Sequence, residues 1–482
     1  MVKPKLSNKT KGIFRVSASN LLSLAISMLT SFVLPYFISV EEYGYWQLFV
    51  LYCGYVGFFV LGFNDGIHLN YATESYTGKL AAKFHTFKTF LLILTGLESL
   101  FLLAVLLLYS HNYDKNFWIF FLVILNILPQ ALIGMFLYLN QATMRYKYYA
   151  TGCVVDKIVF AALMVVMLSL RTTNSVYYIA AYTISRYCVI GYFAITCREV
   201  FSSVPQPYAS VREEVKKNFL AGFPLMIATV LNGSIIVGSR FLVNGKFGIE
   251  SFSAYSFSIH TLVIASQFIG AITSVFYPIL KRSQDNLAYM YSTLDKSSSL
   301  LSAILLLTYY PAVILILLFY QKYTIMLDYL MFVYPLFIFQ CKSNLLIVNM
   351  YKVKGRIYRL ITVTAVAIAI HLIFIFIAYY IFRNVTAIAI ATLLAYMVWY
   401  YGCQIMIEKT EEWKYNDLPV DALIVALFVI INLGIKSIYP QTSYISVNIA
   451  LLLNLVCFAA IYLLFKKQLH SILSDTHTIL KD

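Results

Sequence analysis

Ionisable side chains interrupt several of the longest apolar runs in this sequence. An ionisable group inside an apolar run of membrane length is costly to desolvate, so its presence indicates a function. Basic groups outnumber acidic ones at these positions, and a cationic cavity suits an anionic ligand. Arginine suits phosphate in particular, because its planar guanidinium donates to two oxygens at once. We therefore predict that three cations in three different runs bind an anion: Arg186, Arg240 and Lys342.

Structural pairing is the alternative interpretation of these charges. Glu98 and Arg186 could neutralise each other, and Asp156 could pair with its neighbour Lys157. Arg240 falls near the end of its run and could reach lipid head groups. Both interpretations stay open at the level of sequence.

A second group of charges indicates gating or ion coupling. Asp65 lies near the end of the second apolar run, and His68 follows about one helical turn later. A carboxylate without an evident partner there could exchange partners or bind a coupling ion during a conformational cycle. Glu98 and Lys157, which lie within later runs, complete the predicted gating and coupling set.

Polar side chains recur at helical spacing in two segments that are 209 residues apart. A shift of 209 places Asn20 on Thr229 and Ser23 on Asn232, and such steps keep most polar groups on one helical face. Small polar residues also simply pack membrane helices together, which is the alternative. Two matching polar helix faces predict a water-filled cavity between two repeated halves of the chain. Its predicted lining, besides the three cations, is Asn20, Ser23, Asn232, His260 and Gln267.

Signatures of common enzyme sites are absent from the sequence. It contains no GxxxxGK(S/T) phosphate loop, no HExxH and no GxSxG motif. The seven histidines show no metal-ligand spacing, and none of the seven cysteines forms a CxxC pair. We therefore expect no metal, no cofactor and no enzymatic activity.

The elements that must position these groups are long apolar helices. Of the 482 residues, 61% are hydrophobic and 12% are charged, whereas an average soluble chain is about 25% charged. The apolar runs match the length that crosses a bilayer core of about 30 Å as a helix. We predict an all-α polytopic membrane protein with about fourteen transmembrane helices, near residues 13–38, 45–67, 88–109, 116–140, 150–170, 175–196, 219–241, 251–280, 298–320, 325–350, 359–382, 386–407, 421–437 and 443–465.

The distribution of Lys and Arg predicts the orientation. With the N-terminus in the cytoplasm, 26 of the 36 Lys and Arg residues fall in cytoplasmic segments, 7 in outer loops and 3 within spans. Cytoplasmic loops carry such an excess, so both termini are predicted to be cytoplasmic. The net charge of +15 is explained by this topology, and no nucleic-acid partner is expected.

A charged, proline-containing segment at 197–218 separates the sixth predicted helix from the seventh. Its position predicts two six-helix lobes, 13–196 and 219–407, joined by a cytoplasmic linker. Two additional helices follow at 421–465.

Short motifs in both halves have the pattern of a known family. The first half contributes Ser19-Asn20, the run 41–46 (EEYGYW) and the run 61–67 (LGFNDGI). The second half contributes the runs 222–226 (GFPLM), 239–241 (SRF) and 247–250 (FGIE). Together they resemble Wzx-type oligosaccharide flippases of the multidrug/oligosaccharidyl-lipid/polysaccharide (MOP) superfamily. Many relatives carry Asp-Arg-Phe at the position of Ser239-Arg240-Phe241, so Arg240 lacks a neighbouring acid here.

The resemblance implies a MATE-like V of two six-helix bundles that works by alternating access. It also implies the substrate: an undecaprenyl-diphosphate-linked oligosaccharide, carried from the inner to the outer leaflet of the bacterial cytoplasmic membrane for O-antigen or capsule synthesis. The implied partners are the lipid bilayer, a polysaccharide polymerase and glycosyltransferases, with H⁺ or Na⁺ as candidate coupling ions. The two additional helices look like the pair that forms a lipid-tail groove in lipid II flippases.

Three rival functions remain open at this stage. A flippase for another lipid-linked precursor, such as lipid II or a teichoic acid unit, is close in mechanism. A drug or cation exporter of the same superfamily would need an acidic cavity, whereas basic residues dominate here. A membrane glycosyltransferase is faintly permitted by Glu41 and Glu42 in the first outer loop, but the short outer loops and the repeat argue against it.

Overall fold

The computed structural model describes residues 8–71, 74–77, 80–108, 113–282, 287–411, 420–439 and 443–460. Within these ranges, the side chains of residues 8–14, 232, 263–282, 290, 293, 296, 297, 300, 301 and 344 lie outside the description. Every regular element in the described part of the chain is a helix. The chain divides into two compact units, an N-terminal unit (Met1–Thr229) and a C-terminal unit (Val230–Asp482).

Ten helices carry the chain from the N-terminal unit into the C-terminal one. In order they are α1 (Asn8–Phe37), α2 (Val40–Val56), α3 (Phe63–Asn70), α4 (Phe84–Leu108), α5 (Lys115–Ile124), α6 (Ile127–Ala142), α7 (Tyr146–Ser169), α8 (Ser175–Thr196), α9 (Arg198–Ser202) and α10 (Tyr208–Arg282).

Nine further helices lie in the C-terminal unit. They are α11 (Leu287–Leu306), α12 (Tyr309–Phe319), α13 (Leu327–Val333), α14 (Leu336–Lys342), α15 (Val348–Val353), α16 (Ile357–Phe382), α17 (Val385–Glu411), α18 (Val420–Ile438) and α19 (Tyr444–Ala460).

Where the structure describes them, the fourteen predicted spans lie on helical backbone apart from short breaks and end residues, and the all-α membrane architecture is confirmed. Residues 109 and 461–465 of two predicted spans lie outside the described residues. By length and composition, the described residues contain nine helices able to cross a membrane, or up to twelve if each bent pair is one span. The shorter apolar helix α19 adds a further segment. The predicted linker 197–218 is mostly helical, because α9 and the start of α10 occupy it and only Cys197 and residues 203–207 lie outside a helix. The division into six-helix lobes stays a prediction.

Backbone breaks interrupt several spans. Leu61 (φ 48°) and Gly62 (φ 78°) adopt left-handed conformations between α2 and α3, which bend by 57° relative to each other. Gly248 (φ 80°) breaks the helical geometry of α10. A π-helical turn, Ser343–Ile347, joins α14 to α15. In a bilayer such irregular backbone is tolerated where protein or a cavity satisfies its polar groups.

The core of the N-terminal unit is built from aromatic contacts between helices. Phe63 of α3 stacks on Phe90 of α4 with ring centroids 3.9 Å apart, and Phe136 of α6 stacks on Phe193 of α8 at 5.2 Å. All four side chains are buried. Close packing of this kind drives helix association in lipid, where transfer of apolar surface out of water no longer contributes. It fixes the register of α3, α6 and α8, which carry the polar groups described next.

Candidate functional site

Arg186 lies at the centre of a charged cluster in the N-terminal unit. Its guanidinium is 3.4 Å from an Asp156 oxygen and also donates to the side chain of Gln130. Lys157 is 3.2 Å from the same Asp156 oxygen, so one carboxylate is shared by two cations. The Arg186 side chain is 11% exposed and that of Asp156 is 7% exposed. Helices α6, α7 and α8 thus assemble a cluster with a formal charge of +1.

The structure separates Glu98 from Arg186. Glu98 is 4% exposed, and its carboxylate accepts a long hydrogen bond, 3.5 Å, from the backbone nitrogen of Leu128. The suggested Glu98–Arg186 pair is therefore replaced by the Asp156–Arg186 pair, whereas the suggested Asp156–Lys157 pair is present. Sequence reasoning missed Asp156 as the partner of Arg186, because the sequence does not show how α7 and α8 are rotated relative to each other.

Asp65 and His68 converge on one tyrosine of α6. The Tyr138 hydroxyl lies close enough to the Asp65 carboxylate to interact with it. The His68 ring lies 5.3 Å from the Tyr138 ring, measured between centroids. The predicted gating pair is thus held on one face of the short helix α3, next to a third polar group that the sequence did not single out.

Asn20 of α1 joins this polar surface through α7. Its amide lies close to the hydroxyl of Tyr149, which is one turn of α7 before Cys153 and two turns before Asp156 and Lys157. Ser23 of α1 is half-buried one turn after Asn20. One face of α7 therefore links the predicted residues of α1 to the Arg186 cluster.

The opposite face of α3 lies against α10 with no space for side chains. A Cβ atom built on Gly62 would lie 2.6 Å from the carbonyl carbon of Gly222, and one on Gly222 would lie 2.5 Å from the Gly66 nitrogen. Asn70 donates to Asn218 at 2.9 Å beside this contact. The glycines of α3 and α10 thus permit backbone contact where any other residue would overlap.

A half-buried acid stabilises this contact at the end of α3. Glu214 of α10 forms an ion pair with Lys83 at 2.6 Å and accepts a hydrogen bond from Tyr71. Burial and the neighbouring Glu214 carboxylate raise the pKa of Tyr71, so its hydroxyl stays protonated and donates. The hydrogen bond between Tyr71 and Glu214 therefore lies one to two helical turns from His68 and Asp65.

Arg240 and His260 are the predicted site residues of α10 in the C-terminal unit whose side chains the structure describes. Arg240 is 8% exposed, donates to the Ser256 hydroxyl at 3.2 Å and lies 5.4 Å from the Phe252 ring centroid. His260 is half-buried and within electrostatic reach of Arg240. The side chains of Asn232 and Gln267 lie outside the described residues.

Lys342 has no exposed surface and is neutralised by two carboxylates. Its ammonium lies 2.6 Å from Asp295 of α11 and also pairs with Asp421 of α18. Sequence analysis named neither acid as a partner of Lys342. It began the ninth helix at residue 298 and so assigned Asp295 to a loop, and it placed Asp421 at the start of the span 421–437 without connecting it to Lys342. In the structure α11 begins at Leu287, which places Asp295 two turns inside the helix.

Glu42 connects the starts of three helices in the N-terminal unit. Its carboxylate pairs with Lys115 at the start of α5 and accepts hydrogen bonds of 2.8 Å from both the backbone nitrogen and the hydroxyl of Ser175, the first residue of α8. Both oxygens of the Glu42 carboxylate therefore take part in contacts that hold helices together. This accounts for Glu42, one of the two acids that permitted a glycosyltransferase with an acidic site in the first outer loop; Glu41 is exposed.

Comparison with solved structures identifies the fold of this chain. No family model matches the sequence, and no curated protein matches it. The solved structure of the lipid II flippase MurJ aligns with a TM-score of 0.64 at 12% identity, covering 94% of this chain and 99% of MurJ. A multidrug resistance MATE family transporter of the MOP superfamily aligns with a TM-score of 0.56 at 12% identity, covering 82% and 99%. A eukaryotic MATE transporter gives 0.57 at 13% identity, covering 83% and 95%.

The fold is that of the MOP transporters. These neighbours are transporters and not enzymes, which agrees with the predicted architecture and with the absence of enzyme motifs. The multi-pass arrangement in a membrane follows from the same observations.

Proposed function

We propose that this protein is a flippase for an undecaprenyl-diphosphate-linked oligosaccharide unit. It would carry the unit from the inner to the outer leaflet of the bacterial cytoplasmic membrane by alternating access, for O-antigen or capsule synthesis. The observation that carries the proposal is the share of the chain that aligns: 94% with the lipid II flippase MurJ, against 82% and 83% with the two MATE transporters. The likeness to a flippase therefore includes more of this chain than the likeness to drug exporters.

The charged cluster of the N-terminal unit suits the diphosphate of such a substrate. Arg186 and Lys157 share the single carboxylate of Asp156. In the absence of substrate the carboxylate offsets much of the cost of burying the guanidinium. A diphosphate can replace it, because it offers several oxygens to both cations. We propose that Arg240 of the C-terminal unit adds a further cation during passage.

The polar residues around these cations suit the sugar portion. Asn20 and Ser23 lie on α1 beside the polar face of α7, and their amide and hydroxyl groups can hydrogen-bond sugar hydroxyls. We include Asn232, His260 and Gln267 in the same role. Asp65, His68, Glu98 and Lys157 remain our gating and coupling set, with H⁺ or Na⁺ as the coupling ion.

A second candidate function is flipping of another lipid-linked precursor, such as lipid II or a teichoic acid unit. The alignment with MurJ favours it to the same degree, because the fold does not report the identity of the sugars. Export of cationic drugs is the weaker alternative, since the buried cluster around Arg186 carries a formal charge of +1.

A reconstituted system tests these alternatives directly. The purified protein is placed in liposomes that contain fluorescent undecaprenyl-diphosphate oligosaccharide, lipid II or a cationic dye, and the fraction reached by an external quencher or glycosidase is followed over time. We expect flipping of the oligosaccharide, weaker flipping of lipid II and no dye transport. Preferential flipping of lipid II would replace the proposal with the second candidate, and dye transport alone would overturn both.

Matched variants connect the result to the cluster. Arg186→Gln should abolish most flipping, whereas Arg198→Gln should not, because Arg198 is exposed at the start of α9. Equal loss in both variants would contradict a role for the cluster in substrate binding.

A further inference from the structure

Glu98 is a buried acid of α4 that no described cation contacts. The residue is 4% exposed, and its one hydrogen bond from the described part of the chain comes from the backbone nitrogen of Leu128, 3.5 Å away. Hydrogen bonds to an ionised carboxylate are shorter, about 2.7–2.9 Å. The long contact therefore fits a neutral carboxyl better than an ionised one.

The groups nearest to this carboxyl on α8 do not neutralise it. Tyr187 is within electrostatic reach of Glu98, but a tyrosine cannot become positive. Arg186, which precedes Tyr187 in the chain, is engaged by Asp156 and Gln130 instead. The carboxyl of Glu98 thus has a hydroxyl and a backbone N–H as its polar neighbours among the described residues, and neither carries a formal charge.

Other ionisable groups on α4 and on the helices packed against it are distant or engaged elsewhere. Lys88 precedes Glu98 by ten residues, or about 15 Å of helix, and donates to the Phe201 carbonyl at 2.9 Å. The undescribed residues nearest to Glu98 along the chain begin at 109, about 16 Å of helix away. The ionisable residues of α5, α6 and α9 are Lys115, which pairs with Glu42, Tyr138, which lies beside Asp65, and Arg198 and Glu199, which lie on the helix that meets Lys88.

Glu98 contacts a break in the apolar span Lys115–Ala142, between α5 and α6. Leu128 is the second residue of α6, so its N–H has no acceptor inside that helix. Asn126, at the break, donates from its amide nitrogen to two oxygens, but its Oδ1 is buried and receives no hydrogen bond from the described residues. Such an acceptor suits a protonated carboxyl, which can donate to it directly or through a water molecule.

We propose that Glu98 is a proton-binding site, and that H⁺ rather than Na⁺ is the ion that this member of the predicted coupling set takes up. An ionised carboxylate without a cation is strongly unfavourable in a site that excludes water, so burial favours the protonated form. Hard cations bind through several oxygens at once, whereas Leu128, Asn126 and Tyr187 present N–H and O–H donors at this break. The assignment of the proton does not depend on the substrate; only its part in transport rests on the proposed function.

Release of the proton from Glu98 requires a change of structure around the break. The carboxylate left behind would have no compensating charge, and such a group is stable only when water or a cation reaches it. The closed site therefore holds the proton, and a site opened by movement of α4 against α6 releases it. A residue whose charge depends on whether its site is closed links proton binding to a conformational equilibrium, which is what ion coupling requires.

Infrared spectroscopy tests for the proton without using transport. The full-length protein is placed in lipid nanodiscs, and the C=O band of protonated carboxyl groups is recorded at neutral pH in H₂O and D₂O. We expect a D₂O-sensitive band that loses intensity in Glu98→Gln, a change of similar shape that removes the titratable group. Asp156→Asn is the matched control: the Asp156 side chain is 7% exposed, but it pairs with Arg186 and Lys157, so it is ionised and its replacement should leave the band unchanged. A band of equal intensity in wild type and in folded Glu98→Gln would overturn the proposal.

Flipping under an imposed pH gradient tests the coupling step separately. Initial rates in proteoliposomes are compared for wild type and Glu98→Gln without a gradient, with gradients of either direction, and with Na⁺ replaced by choline. We expect one direction of the gradient to accelerate wild-type flipping, loss of this acceleration in Glu98→Gln, and no effect of replacing Na⁺. An acceleration that persists in Glu98→Gln, or a wild-type rate that needs Na⁺, would overturn the coupling role. A wild type that shows the Glu98 band but flips none of the tested substrates would reject the proposed function and support the proton site alone.

Discussion

At the scale of single residues, sequence identified unusual charges more reliably than their partners. Arg186 and Asp156 were both singled out because ionisable groups are rare in apolar spans. Their pairing across α7 and α8 was not predicted, because a helical sequence fixes which side chains share a face but not which neighbour that face meets. Asp295, one partner of Lys342, was missed because the ninth predicted helix began eleven residues late, at 298 instead of Leu287. Asp421, the other partner, lay on a predicted span, but the sequence does not show that this helix meets Lys342.

Arg186 provides the prediction that separates substrate binding from structural pairing. Arg186→Ala should lower flipping by about tenfold or more, equivalent to about 1.4 kcal/mol in the activation free energy. Arg186→Lys should lower it less, because lysine keeps the charge but cannot donate to Asp156 and Gln130 in the same planar geometry. Initial flipping rates in proteoliposomes, normalised to the amount of protein, measure both effects.

The double variant Arg186→Gln with Asp156→Asn is the control for charge. It retains the formal +1 of the wild-type cluster, since Lys157 remains and one charge of each sign is removed. If Arg186 binds the diphosphate, the double variant should be as inactive as Arg186→Gln. Recovery of wild-type flipping would instead assign Arg186 to neutralising Asp156.

At the scale of elements, helices with clear terminal signals were predicted well and broken helices were not. The predicted span 175–196 has the bounds of α8, where Asn174 caps the helix by accepting from the Val176 nitrogen. The predicted span 45–67 missed the break at Leu61 and Gly62, because an apolar run continues through it without a change of composition. That break is what creates α3, the short helix that holds Asp65 and His68.

The glycine contact between α3 and α10 leaves no space for a Cβ atom at Gly62, Gly66 or Gly222. Gly222→Ala should force the two backbones apart, because the added Cβ would overlap the Gly62 carbonyl. Overpacking of this kind costs about 1–3 kcal/mol. We expect a lower Tm together with reduced flipping, measured on the purified protein.

Gly245→Ala on the same helix is the matched control. No atom lies within 4 Å of a Cβ built at Gly245. The change should leave the Tm unchanged or raise it slightly, since alanine is the better helix former by about 0.5–1 kcal/mol. A Tm for Gly222→Ala equal to that of the control would mean that α3 and α10 can separate without penalty.

At the scale of the whole molecule, composition predicted the architecture because a bilayer leaves few alternatives. Every backbone polar group must be satisfied within the chain, so long apolar runs in a sequence without strand alternation become helices. The overall architecture does not determine which substrate is transported. The solved structures that share this fold include a lipid II flippase and a multidrug resistance transporter, so the fold alone does not determine the substrate.

Orientation is a property of the whole chain, and cysteine labelling tests it. In a cysteine-free background, Ala209→Cys near the start of α10 should react with an impermeant maleimide only after the cells are permeabilised. Asn384→Cys, between α16 and α17, should react in intact cells. Both positions are exposed in the structure. The reverse pattern would invert the topology inferred from the 26 cytoplasmic and 7 outer Lys and Arg residues.

The response to membrane potential tests the proposed substrate charge on the same scale. A diphosphate diester carries about two negative charges, and an inside-negative potential favours outward movement of each by about 2.3 kcal/mol per 100 mV. If the protein carries that charge without a compensating ion, proteoliposomes with an imposed inside-negative potassium diffusion potential should export the substrate faster than those at zero potential. Inverting the potential should slow export below the zero-potential rate. A rate that is independent of potential but changes with a pH gradient would show that protons balance the moving charge, and flipping by the substrate's own charge would be rejected.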